Sequence, residues 1–178
     1  MRLMKTYLSS VIKRFEYYKT LGEKTFEQVD DNGLFWQFND ESNSIAMIVQ
    51  HLAGNMLSRW TDFLTSDGEK STRDRDAEFE PLIKSRSELL EKWNEGWACM
   101  LGALKSVTES DLDKTIYIRS EAHSIVDAIN RQLAHVPYHV GQIVFIGKMI
   151  AGEKWHSLSI PKGQSANFNQ KMSANHPK

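Results

Sequence analysis

The chain has 178 residues, 40% hydrophobic and 25% charged, which is enough for one sizeable core and too short for two comfortable domains. With 22 Lys+Arg against 23 Asp+Glu the formal net charge is -1, which argues against a nucleic-acid footprint or a polybasic membrane anchor. Apolar runs are too short to span a bilayer, Met1 to Lys5 open no signal peptide, and the single Cys99 forms no internal disulfide, so a reduced cytoplasmic protein is expected.

Apolar residues from Leu3 to Val29 recur in steps of three and four and predict a first helix, with Gly22 marking a kink or a close helix contact. Asp30-Asp31-Asn32-Gly33 signals a turn, and Leu34 to Phe38 reads as an aromatic plug on one end of the fold. Ser42, Asn43 and Ser44 are N-cap candidates for a second helix over Ser44 to Leu64. Its Ala53-Gly54 pair is expected to let the second and fourth helices approach closely. Thr65 to Pro81 is the most polar stretch and predicts a long solvated loop, of the length that serves as a lid, binding loop or crossover.

Ser85 and Glu88 have capping-box spacing and open a third helix to about Val107. Ile116 to Ile118 reads as a short extended connection. A fourth helix follows from about Ser120 to Ala151, interrupted by Pro137 and ended by Gly152. Residues 1–163 therefore read as one all-α domain, a four-helix bundle, and 164–178 as an irregular polar tail, partly disordered.

His135 and His139 carry the chemistry. Residues four apart share a helix face, with Cβ atoms about 5–6 Å apart, so two imidazoles can share one ion. A third ligand must come from another helix, and His51, flanked by apolar residues on the second helix, is the candidate. Arg131 lies one turn before His135, and Gln142 follows His139 on the same face. Asn55 and Arg59 follow His51 at one and two turns. Either arginine can hold a carboxylate or phosphate by bidentate contacts, or pair with an acid such as Asp127. His123, His156 and His176 read as solvated. H-E-x-x-H, G-x-S-x-G and phosphate-cradling glycine loops are absent, and the one Glu-x-x-His, Glu153 to His156, lies in the tail.

"IVQHLAGNMLSRW" and "LAHVPYHVGQIVFIGKMI" resemble the DinB/YfiT-like superfamily of four-helix bundles, and "WTDFLTSDGEK" and "LSIPKG" resemble a branch without an assigned function. The resemblance covers nearly the whole chain. It implies a divalent metal, zinc or nickel, held by His51, His135 and His139, and a homodimer. It also implies, for some members, transferases or isomerases that use small thiols. A thiol at an open three-histidine site needs no side-chain base, which suits a transferase joining a small thiol to an electrophile. Hydrolysis by metal-bound water, or a non-catalytic metal- or ligand-binding dimer, are the alternatives.

Overall fold

A computed structural model describes residues 2–175, so His176 lies outside the described residues. Helices dominate. In chain order they are α1 (Arg2–Phe26), the single turn α2 (Asp31–Leu34), α3 (Ile45–Trp60), α4 (Arg86–Ser106), α5 (Ile125–Ala151) and α6 (Ser165–Asn175). One antiparallel hairpin, β1 (Thr115–Ile118) with β2 (Glu121–Ser124), precedes α5 and pairs Ile116 with His123. No helix among the described residues is long and apolar enough to cross a membrane.

α3, α4 and α5 start where the sequence supplies an acceptor for orphan backbone donors. Ser44, Ser85 and Ser124 accept from the backbone N–H of Met47, Glu88 and Asp127. Glu88 reaches back to the N–H of Lys84 rather than to that of Ser85, so only half of the anticipated capping box forms. The fourth predicted helix begins at Ile125, not near Ser120, because residues 121–124 pair as a strand. It ends at Gly152, whose φ of 54° is open to glycine.

α1, α3, α4 and α5 enclose one apolar core. Leu8, Val11, Phe15 and Phe26 come from α1, and Leu89, Trp93, Trp97, Met100 and Leu104 from α4. Ile125, Ile129, Val136, Val140 and Ile143 come from α5. α3 is buried nearly all round, since α4, α5 and the segment after it each cover one side. The small pair on α3 serves different neighbours from those expected. A Cβ on Gly96 of α4 would lie 2.8 Å from the Cα of Ala53, so the close approach is between α3 and α4. Gly54 faces the segment after α3. Gly22 lies under Trp93, which makes it a close α1–α4 contact.

The expected aromatic plug is only partly one. Leu34 is fully buried, whereas Trp36 and Phe38 are exposed. α6 is exposed along its length.

Gly96→Val should lower the unfolding free energy by ~1–3 kcal/mol, because backbone rather than a flexible side chain stands in the way. Gly102→Ala, on the same helix with nothing within 4 Å, should gain about 0.5–1 kcal/mol. Urea denaturation of the two variants checks both signs.

Candidate functional site

α3 carries His51 into the interior, and the i, i+4 spacing on α5 brings His135 and His139 to meet it. One nitrogen from each ring lies within 4.8 Å of the other two. The ring centroids are 4.6 to 5.2 Å apart. His51 Nε2 and His135 Nε2 are 3.1 Å apart. Pro137 sits between the α5 pair and removes the helical donor that the Leu133 carbonyl would otherwise have.

Two of the rings are oriented by outer partners. His51 Nδ1 donates to Glu78 Oε2 at 2.9 Å, and His139 Nδ1 donates to Gln142 Oε1 at 2.8 Å. Both contacts put the proton on Nδ1 and turn the Nε2 lone pair toward the cluster, the arrangement that metal-ligating histidines adopt. Tetrahedral zinc bound at ~2.0–2.1 Å separates two ligand nitrogens by roughly 3.3 Å, close to the His51–His135 spacing. The donor set therefore fits a divalent ion at His51 and His139. The fit is incomplete at His135, whose Nδ1 is buried without a partner.

Glu78 lies in the stretch expected to be a solvated loop. Residues 65–82 instead fold back over α3 as a strap, with a 3-10 turn at Ala77–Phe79. Gln50 Nε2 donates to the carbonyls of Ala77 and Glu80, and the Phe79 ring stacks on His51 at 4.7 Å. Gly54 makes room for Glu78, since a Cβ there would lie 2.3 Å from its Oε1. Arg73 grips the same carboxylate through Nε at 2.6 Å and Nη2 at 2.8 Å. Burial pushes the Glu78 carboxyl up, but the hydrogen bonds from His51 and Arg73 outweigh it and hold the group below the usual carboxylate range.

The cluster opens on a cavity of about 520 Å³. His51, His135, Asn55, Arg59, Gln132 and Arg131 are in its wall, with Arg73, Arg75 and Arg119, and with Trp60, Ile116 and Ile118 as an apolar side. Arg59 donates to the Gly68 carbonyl and to Glu69 at 2.9 Å. Burial lowers its affinity for its proton, and Glu69 opposes that. Asn55 accepts from Gln132 at 3.1 Å. Arg131 is half exposed. Its closest acid is Glu121 at 3.9 Å, while Asp127 pairs with His123 at 2.6 Å. His123 is thus buried and partnered rather than solvated. Gln142 braces His139 and does not line the cavity.

Glu78, Arg73, Arg75, Arg119 and Gln132 were not anticipated. The length of the 65–81 connection and its lone Phe79 were the available signals for the strap residues. Arg119 reaches the cavity because a two-residue turn holds it and Ser120 at positive φ, 56° and 63°. Asp67 accepts both of their backbone N–H groups, at 2.8 and 2.7 Å.

Residues 2–164 match the family described as "Protein of unknown function (DUF1572)", and the chain belongs to that family. No curated protein and no solved structure matched the chain.

Burial, and then the neighbouring His139 and His51, press the His135 pKa down to about 3. A folded-state value below the unfolded ~6.5 means that proton uptake favours unfolding. The stabilisation is complete above pH ~6.5 and is lost as the pH falls toward 3. In metal-free protein, unfolding free energy should therefore decline between about pH 6.5 and 5, where carboxylates still hold their charge. His135→Gln should flatten that slope in a urea series.

Proposed function

We propose that the chain is a divalent-metal-dependent transferase that joins a small thiol to an electrophile, built as a DinB/YfiT-like four-helix bundle. The observation that carries the reading is the convergence of three imidazoles, two with Nδ1 held by outer acceptors, with His51 and His135 of the three in the wall of an arginine-rich cavity. His51, His135 and His139 would hold the ion, zinc or nickel by donor type. When bound, such an ion supplies the positive charge that favours a thiolate over a thiol.

The chain's own residues do the rest. Glu78 and Gln142 fix the tautomers of His51 and His139. Phe79 covers one face of His51 and screens it from water. Arg131, Arg59, Asn55 and Gln142 are the residues we assign to binding and orienting the small molecules. Gln142 does so through His139, and Asn55 through its bond to Gln132.

Among the described residues the one acid in contact with the cluster, Glu78, is clamped by Arg73 and by His51. It is therefore a positioning residue and not a free general base. That favours a nucleophile needing no base over hydrolysis, where a base assists the attacking water.

The working unit we propose is a single domain over residues 1–163, cytoplasmic and dimeric. Exposed Tyr138, Phe145 and Met149, at helical spacing on α5, support packing against a second copy.

Elemental analysis of protein purified without added metal should show about one divalent ion per chain, and His139→Ala should lose it. Unchanged metal content in His51→Ala, His135→Ala and His139→Ala alike would sink the site. Glu78→Gln should bind the same ion about 10–100-fold more weakly, measured by competition with a chelator. Circular dichroism of chelated protein should keep its helical signal, because the apolar core forms without the histidines.

A further inference from the structure

The cavity wall holds five arginines from four separate segments. Arg59 comes from α3, Arg73 and Arg75 from the strap, Arg119 from the hairpin turn and Arg131 from α5. No Asp or Glu lies among its lining residues. Guanidinium groups repel, so such a convergence needs anions to balance it. Behind the wall, among the described residues, only two carboxylates do so within hydrogen-bond distance. Glu69 sits 2.9 Å from Arg59, 3.0 Å from Arg119 and 3.7 Å from Arg73. Glu78 is taken by Arg73 and His51. Arg75 makes no ion pair among the described residues, and the nearest acid to Arg131 is beyond hydrogen-bond distance. Two to three positive charges are left over.

Donors are also left over. The Arg73 side chain is 4% exposed, and its Nη1 has no hydrogen-bond partner. Trp60, in the same wall and 3% exposed, has a partnerless Nε1. A buried donor without an acceptor is costly and rare, and both of these belong to residues that line the cavity. The left-handed turn that delivers Arg119 is a further built feature, held by an acid more than fifty residues earlier in the chain. With a chain net charge of -1 and the arginines gathered in a cavity rather than along a surface, a polymeric nucleic acid is not the fit.

We infer that this cavity recognises a small molecule bearing two or three negative charges, as carboxylates or as a phosphate. The charged end sits among Arg75, Arg119 and Arg131, the stem lies along Ile116, Ile118 and Trp60, and the reactive end faces His51 and His135. The inference deepens the proposed transferase, in that it names the class of substrate that the same cavity takes, but anion binding needs no metal.

The test uses full-length protein stripped of metal, titrated by calorimetry with inorganic phosphate, tricarballylate and acetate. Phosphate or tricarballylate should bind one per chain, and acetate at least about tenfold more weakly, since each charge-assisted hydrogen bond to a paired charge adds to the affinity. A preference for phosphate names a phosphoryl group, and a preference for tricarballylate a polycarboxylate. Arg75→Met and Arg131→Met alter exposed side chains and should fold, as circular dichroism will show. Each should weaken the preferred anion about tenfold, while zinc uptake stays at the wild-type level. Binding of neither multivalent anion, or equal binding in both variants and wild type, overturns the inference. Zinc uptake without anion binding overturns it alone. Anion binding without zinc uptake overturns the metal-dependent reading and leaves this one standing.

Discussion

A carboxylate whose side chain is 7% exposed is expensive to bury unless nearly every lone pair is used. Glu78 meets that condition through Arg73 on one side and His51 on the other. Removing Arg73 would leave a buried charge uncompensated, at a cost of ~3–5 kcal/mol, whereas removing His51 would leave one lone pair unmet. The clamp therefore does more than bridge two residues. It holds the strap against α3, over the space that Gly54 leaves open. It also selects the His51 tautomer and draws Arg73 into the wall of the cavity. A segment with little apolar content stays folded back because its buried charges, Arg73 and Glu78, are matched to each other.

Glu69 plays the corresponding part at the far end of the strap. It accepts from Arg59 on α3 and from Arg119 in the hairpin turn, and lies near Arg73. One carboxylate thus ties together three segments distant in sequence. Burial raises its pKa, and the two arginine hydrogen bonds bring it below the ordinary value. The hairpin is held in turn by Asp67, two residues earlier, which accepts from the backbone of Arg119 and Ser120. The strap is the element on which the positions of four of the five arginines depend.

The helices and the histidine cluster were legible because both rest on short-range periodicity. Apolar residues three and four apart mark the stripes of α1, α4 and α5, serine caps mark the starts of α3, α4 and α5, and His135 and His139 must share a face wherever α5 goes. The hairpin was not legible. Its turn residues are Arg119 and Ser120, which carry no glycine or asparagine signal for positive φ, and their support comes from Asp67 far upstream. The facing of Ala53 and Gly54 was not legible for a different reason. α3 is apolar on nearly every side, so its pattern does not say which neighbour lies where. Polarity alone made the strap look solvated, because a charge buried by pairing and a charge left in water look the same in composition.

The distribution of unmet hydrogen bonds separates the two halves of the molecule. Five buried side-chain nitrogens lack partners among the described residues. Two, on Trp93 and Trp97, lie in the apolar core under α4. The other three, on Trp60, Arg73 and His135, all belong to residues lining the same cavity. Each such group costs ~1–3 kcal/mol when nothing satisfies it. A core that already encloses residues of four long helices has no need of that expense for folding. Surplus positive charge and surplus donors accumulate on one wall, and an imidazole that resists protonation stands at its edge. Those costs gather on the wall where a bound anion would offset the surplus charge and a bound cation would take the imidazole lone pairs.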